Sequence, residues 1–328
     1  MPARPVVCLS PSFGSTSPES VDAIESAGGR LVRQSAGRDA WTDDFHATMA
    51  EAVALIVGTQ PVDAELIAAC PQLRVIAKHG AGVDNIDLDA ATAAGIAVTS
   101  APGANATAVA ELVLGLIIGL ARGIPAEDRR VRRGEWRVAI GKALENSTLG
   151  IVGMGRIGRL VAARARAFEM TVLAYDVADP EENPVGWEYV GLEELLERSD
   201  FVSLHLPLLP ETTRLIDAEA LGRMKKTAYL VNAARGGVVD EKALDLALAE
   251  GQLAGAALDV YESEPVGPDH PLVARPDVTI LTPHMAAYTD HALAVTSQIT
   301  AANIVAAIEG TPPPQSLNRP SPWRGSAQ

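Results

Sequence analysis

Cysteine is nearly missing from this chain: Cys8 and Cys70 are the only two in 328 residues. They have no CxxC spacing and no histidine clustered with them, so neither a disulfide framework nor a metal site is expected. Any block of basic residues is missing too. Lys and Arg number 27 against 41 Asp and Glu, a net charge of −14. That balance disfavours nucleic acid and membrane as partners and suits a cytoplasmic protein. An anionic substrate must then be met by a few local cations. The first residues lack a charged region followed by a long apolar run, so no signal peptide is expected. The most apolar run, Leu112 to Ala121, is far short of the ~20 residues a membrane span needs and reads as a buried helix.

What the chain has is apolar content of 48%, enough for full cores, and a length that suggests about two domains. Its organising stretch runs from Ser147 to Asp176: an apolar strand, Gly153-Met-Gly155-Arg-Ile-Gly158, a helical run, a second strand and an acid. Gly153 permits a tight turn. Gly155 lets a pyrophosphate approach the backbone, and Gly158 lets the helix pack close to the strand. The helix N-terminus offers unpaired N–H groups and partial positive charge to phosphates. Asp176 lies 18 residues after Gly158, where an acid would bond the ribose hydroxyls. Its carboxylate would repel a 2′-phosphate, so the expected cofactor is NAD rather than NADP. A purely structural strand–turn–helix is the bland alternative.

Strands alternate with helices on both sides of this stretch, which implies parallel sheets. Short strands are expected at Pro5–Leu9, Ala52–Val57, Leu73–Ala77 and Ile96–Thr99, with helices at Asp63–Ala69 and Asp87–Ala94 between them. Ala101-Pro-Gly103 punctuates the chain before a long helix, Asn105 to Arg122. Later strands are expected at Phe201–Leu204, Ala228–Val231, Ala254–Val260 and Val278–Leu281. Asp240 should cap a helix that Gly251 stops, and a last helix, Asp290 to Glu309, should return to the first domain. The reading is two α/β domains: residues 1–101 with 290–328 for the substrate, and 102–289 for the dinucleotide. The proline- and serine-bearing tail from Pro312 is expected to be loosely held.

Chemistry in open parallel sheets gathers at the carboxyl ends of strands. Three strands of the second domain end near Arg235, Glu264 and His284. A guanidinium can hold a carboxylate through two parallel bonds. Histidine exchanges a proton near neutral pH, and an adjacent acid can orient its ring and favour the imidazolium. Together with a nicotinamide, these describe hydride transfer at a carbon bearing a hydroxyl next to a carboxylate. Taken singly, Arg235 could pair with a surface acid, Glu264 could be solvated and His284 could be structural. His205 reads as packing near the cofactor. Asp259, on an apolar strand, reads either as a buried hydrogen-bonded acid or as a partner of the nicotinamide end. Lys78-His-Gly80-Ala-Gly82-Val-Asp84-Asn85 is a second informative loop, whose glycines can leave consecutive amides aimed at an anion.

Over nearly its whole length the chain resembles the D-isomer-specific 2-hydroxyacid dehydrogenases. The carrying motifs are KHGAGVDNID (78–87), PGANATAVAE (102–111), GIVGMGRIG (150–158), HLPLLPETT (205–213), VNAARGGVVD (231–240), ALDVYESEP (257–265) and Pro283-His284. Residues 77–101 and 120–144 are most similar to phosphoglycerate dehydrogenases. The resemblance implies two Rossmann-like domains with the active site in the cleft between them, and a homodimer joined through the cofactor domain. It implies Arg235 on the substrate carboxylate with the amides of Ala81 and Gly82, His284 as acid–base and Glu264 as its partner. Arg156, Ile157, Pro207, Thr212 and Ala233, inside those motifs, join Gly153, Gly155, Gly158, Asp176, His205 and Asp259 as implied cofactor contacts. Met285-Ala-Ala-Tyr288 departs from the small residues that usually follow the catalytic histidine. The chain ends soon after its last helix, so a serine-binding regulatory domain is not expected. The partner is a small 2-hydroxy or 2-oxo acid. Lys78, where phosphoglycerate dehydrogenases usually carry arginine, could meet an anionic group on C3, with Arg137 and Lys142 reaching in from a second subunit. That pattern points to phosphoglycerate- or hydroxypyruvate-like substrates. A dinucleotide-sensing binding protein of the same fold and a phosphite-type dehydrogenase remain alternatives.

Overall fold

Side-chain caps set where many helices begin. Thr42, Asp63, Asp87, Asp217, Asp240 and Thr289 each accept a hydrogen bond from an N–H in the first turn of the helix that follows. In the computed structural model, which describes residues 3–35, 37–177 and 186–326, strands and helices alternate almost throughout. In chain order the first are β1 (Arg4–Cys8), α1 (Glu19–Ser26), β2 (Gly29–Arg33), α2 (Asp43–Glu51), β3 (Ala54–Val57), α3 (Ala64–Ala68), β4 (Val75–Lys78), α4 (Leu88–Ala93) and β5 (Ala97–Thr99). Then come α5 (Ala106–Arg122), α6 (Ile124–Arg132), β6 (Thr148–Val152), α7 (Arg156–Ala167), β7 (Thr171–Tyr175), β8 (Glu188–Tyr189), α8 (Leu192–Arg198) and β9 (Phe201–Leu204). The last are α9 (Ala218–Arg223), β10 (Tyr229–Asn232), α10 (Glu241–Ala249), β11 (Gly255–Leu258), β12 (Thr279–Leu281) and α11 (Asp290–Glu309).

The chain divides into two compact units, Met1–Asn105 with Ala287–Gln328, and Ala106–Ala286. The crossings therefore fall at 105/106 and 286/287, a few residues inside the boundaries read from the sequence. The first unit holds a parallel sheet ordered β2-β1-β3-β4-β5. Its strand order reverses between β1 and β3, the switch point at which such sheets bind ligands. Alternate side chains feed two cores: Val6, Ala54 and Ile56 pack with Ile24 of α1 and Ile304 and Ile308 of α11, while Val7, Leu55 and Val57 pack with α2, α3 and α4. By length and apolarity α11 would pass for a membrane span, but its Ala301, Ile304, Ala307 and Ile308 lie in that core.

The second unit holds a parallel sheet ordered β12-β11-β10-β9-β6-β7-β8, with the switch point between β6 and β9. Helices α5 and α7 cover one face, and α8, α9 and α10 the other. At Gly150 in β6 a Cβ would collide with Leu195 and Ser199, so only glycine lets α8 sit this close.

The tail contradicts the expectation of looseness. Leu317 donates its N–H to Val98 O at 2.8 Å, Trp323 is buried with Nε1 on Arg74 O at 2.9 Å, and Arg324 reaches the carbonyls of Cys70, Pro71 and Leu73.

Candidate active site

In the second unit, Gly153 ends β6 with φ of 99°, a left-handed conformation that disfavours any side chain. A Cβ there would meet the His205 carbonyl at 2.8 Å, so the ends of β6 and β9 touch through this glycine. At Gly158 a Cβ would collide with Gly153 O, which is how α7 comes so close to the turn. At Gly155 the reverse holds: nothing lies within 4 Å of an added Cβ. Gly155, Arg156, Arg159 and Leu160 line an open hollow at the start of α7. Two guanidiniums and a helix N-terminus around an uncrowded glycine fit the phosphates of a dinucleotide. Asp176, just after β7, accepts the Met154 N–H at 2.7 Å, which holds the acid beside the glycine turn. Ile157 is half-buried and packs against the core beneath α7.

His205 bonds Ser203 Oγ through Nε2 at 2.9 Å, while its Nδ1 is buried with no protein partner among the described residues. Burial pushes its pKa down to about 4, so the ring is neutral. Thr212 spends its hydroxyl within its own loop, donating to Pro207 O at 2.7 Å and accepting from Leu209 N–H at 2.8 Å. Ala233 lies against the core on the α5 face.

Arg235, Glu264 and His284 follow the carboxyl ends of β10, β11 and β12. After β10, buried Asn232 shapes the turn, its Nδ2 donating to Arg235 O and its Oδ1 accepting from Ala234 N–H. Next to Arg235, Gly236 approaches the backbone of Tyr261 and Glu262 so closely that no Cβ would fit. The Arg235 turn and the Glu264 turn therefore touch. Glu264 has both oxygens engaged: Oε1 accepts the Tyr261 N–H at 3.0 Å and Oε2 faces His284 Nδ1 at 2.8 Å. A second carboxylate braces the same turn. Buried Glu241 accepts the Glu262 N–H at 2.6 Å and pairs with His270 Nε2 at 2.9 Å.

His284 adopts φ of 52°, uncommon for a residue with a side chain. Asp259 explains how it is held. Its Oδ1 accepts from Thr282 Oγ1 and Met285 N–H, and its Oδ2 from Ala286 N–H, bonds that straddle His284 on both sides. Asp259 is fully buried and hydrogen-bonded, which is the first of its two sequence readings. Nearby, burial and then the Asp259 charge push the Tyr261 phenol up to about 12, and its hydroxyl donates to Leu258 O and Thr282 O.

Lys78, Ala81 and Gly82 belong to the first unit. Lys78 donates to Gly58 O at 2.5 Å and Asn85 Oδ1 at 2.8 Å, so its ammonium is engaged at the foot of the loop. Ala81 is exposed and Gly82 half-buried, and neither backbone N–H has a protein acceptor among the described residues. Lys142 departs from its expected role: it pairs with Asp200 at 2.8 Å, beside Lys225 and the Thr148 N–H, at the amino ends of β6 and β9. That is the edge opposite the acid–base pair. Arg137 is exposed near Glu135. No group of three His, Cys, Asp or Glu among the described residues could hold a metal ion.

Buried His79 and half-buried His205 should make the protein sensitive to acid. Burial lowers His79, with Lys78 adding to the effect, to about 4, alongside His205 at about 4. A depressed folded-state pKa means that stability is complete above the unfolded value of ~6.5 and is lost as pH falls toward 4. Each histidine should cost about 2–3 kcal/mol by pH 4.5. Urea unfolding between pH 7.5 and 4.5 checks this, and a flat stability over that range would contradict it.

A family model described as D-isomer specific 2-hydroxyacid dehydrogenase, NAD binding domain, matches residues 114–286. The chain is 47% identical over 269 residues to a glyoxylate reductase of Korarchaeum cryptofilum, covering 80% of this chain and 81% of that one. It is 44% identical over 273 residues to a D-3-phosphoglycerate dehydrogenase of Archaeoglobus fulgidus; the match takes in 82% of this chain but only 52% of that protein. Among solved structures, D-lactate dehydrogenase from Aquifex aeolicus, complexed with NAD and lactic acid, superposes with a TM-score of 0.83. The two share 31% identity over 93% of this chain and 96% of that one.

Proposed function

The chain belongs to the D-isomer-specific 2-hydroxyacid dehydrogenase family, oxidoreductases acting on CH–OH groups, and from that premise we propose that it interconverts a small, unphosphorylated 2-oxo acid and its D-2-hydroxy acid with NAD. The observation that carries this reading is the 2.8 Å contact of Glu264 Oε2 with His284 Nδ1, with the other carboxylate oxygen held by Tyr261 N–H. NADH, when bound, supplies the hydride. His284 has Nδ1 committed to Glu264, so Nε2 is the ring atom that carries the proton. In reduction it gives that proton to the C2 oxygen; in oxidation it takes the hydroxyl proton back. Glu264 fixes the ring's orientation through that contact. Arg235 takes the substrate carboxylate as a two-pronged donor, and the amides of Ala81 and Gly82 supply further donors to it. Gly153, Gly155, Arg156 and Gly158 hold the cofactor's phosphates, and Asp176 its ribose.

An unphosphorylated substrate is favoured because two of the three cations offered for a phosphate are engaged elsewhere, and the third, Arg137, is exposed near Glu135. Lys78 is bonded to Gly58 and Asn85, and Lys142 to Asp200. The glyoxylate and hydroxypyruvate class fits best. The test is kcat/KM across glyoxylate, hydroxypyruvate, phosphohydroxypyruvate, pyruvate and 2-oxoisocaproate, each with NADH and NADPH. Glyoxylate or hydroxypyruvate should lead phosphohydroxypyruvate by about tenfold or more. NADH should be preferred, and Asp176→Ala should narrow that preference. A lead for phosphohydroxypyruvate overturns the substrate class, and equal use of NADPH overturns the role of Asp176.

The working unit is a homodimer. Trp136, Val138 and Ile140 stand at least 91% exposed within five residues of one segment, a density of apolar surface that marks a contact site. Sedimentation at micromolar protein should give twice the chain mass, and a monomer would refute the dimer.

A further inference from the structure

Glycine-rich loops have little conformational preference of their own. Gly80, with φ of 156°, and Gly82 flank Ala81, so whatever directs those amides must come from the neighbours. Lys78 and His79 stand at the head of the loop and point to opposite faces of the sheet, as successive strand residues do. Lys78 reaches toward the loop after β3, bonding Gly58 O, while Asn85 ties the far end of the glycine loop to Gly58 O and Gln60 O. His79 reaches the other way and is buried. Its Nδ1 lies 3.1 Å from Ser10 Oγ and 3.3 Å from Ser12 Oγ, in the loop after β1. Its Nε2 lies 3.0 Å from Ser297 Oγ on α11, which also accepts the Gly14 N–H at 3.1 Å. Phe13 packs edge-on against the ring at 5.6 Å.

A buried imidazole is costly unless both nitrogens are satisfied. Here three serine hydroxyls surround one ring where an apolar side chain would fill the space without hydrogen bonds. Such a network fixes an orientation rather than adding bulk cohesion. The network sits beside the switch point between β1 and β3, the edge at which sheets of this order bind ligands. We infer that His79 is a positioning residue for substrate binding, which locks the Gly80–Gly82 loop to the loop after β1 and to α11 so that the amides of Ala81 and Gly82 keep the direction a carboxylate needs. This rests on the carboxylate role given to those amides above. Burial keeps the ring neutral, so the clamp is unchanged across the neutral range.

The test uses His79→Phe, which keeps a ring against Phe13 but removes both sets of hydrogen bonds, and His79→Gln, which restores part of them. With whichever 2-oxo acid leads the panel, His79→Phe should raise KM about tenfold. The KM for NADH should stay within about twofold and kcat within about threefold, because neither the cofactor nor the acid–base pair is touched. His79→Gln should recover part of the loss. An unchanged 2-oxo acid KM in folded His79→Phe, or a parallel rise in the NADH KM, overturns the inference. If neither histidine variant folds, Ser297→Ala decides: a KM raised about threefold for the 2-oxo acid alone supports it, and an unchanged KM overturns it. Wild-type enzyme that reduces no 2-oxo acid would contradict the dehydrogenase reading instead.

Discussion

Replacing His284 with alanine should lower kcat for 2-oxo acid reduction by about 10²–10⁴-fold, the usual contribution of a positioned acid–base group. NADH affinity should hardly change, since among the described residues the ring bonds Glu264 and its backbone is braced by Asp259. Glu264→Gln should lower kcat less than His284→Ala does, because the amide oxygen can still accept from Nδ1 and hold the ring. Near wild-type turnover in His284→Ala would remove the histidine from the mechanism. A loss in Glu264→Gln as large as that in His284→Ala would contradict the orienting role of the carboxylate.

The second large effect separates two glycines of one turn. Gly155→Ala should leave stability unchanged, because nothing lies within 4 Å of the added Cβ and its φ of −68° suits any residue. That Cβ points into the space expected for the pyrophosphate. NADH affinity should fall by roughly ten- to a hundredfold, one to two steps of about 1.4 kcal/mol. Gly158→Ala should do the opposite in order of cause. Its Cβ would collide with Gly153 O, so α7 must shift, at about 1–3 kcal/mol for overpacking. Affinity is then lost through the fold. Thermal unfolding and NADH titration of the two variants distinguish these cases. A destabilised Gly155→Ala that binds NADH normally would contradict the cradle.

What the sequence made legible was whatever local chemistry determines. Strands buried on both faces, such as Phe201–Leu204, are continuous apolar runs, and capped helices announce themselves through Asp63, Asp87 and Asp240. The glycine turn was readable residue by residue, because each glycine answers one steric demand. β2 was not readable: as an edge strand, Gly-Arg-Leu-Val-Arg keeps its ends polar and shows no apolar run. α2 was overlooked although Thr42 followed by two acids is a legible cap. The rest depended on contacts distant in sequence. The tail is fastened by Trp323 and Arg324 to residues some 250 positions away. Lys142 is claimed by Asp200, and the His79 ring by Ser10 and Ser297. Asp259 could be recognised as a buried acid from its apolar strand, but not as the brace around His284.

The central claim is direct hydride transfer to C2 with D stereochemistry. It is tested by incubating the enzyme with glyoxylate's three-carbon relative hydroxypyruvate and NADH deuterated at C4 of the nicotinamide. Glyoxylate itself gives no stereocentre. The account predicts D-glycerate carrying one deuterium at C2 for each NADH consumed when the transferred position is labelled. Product lacking deuterium at C2 with both C4 positions labelled, L-glycerate, or no NADH consumed with this or any other 2-oxo acid would contradict it.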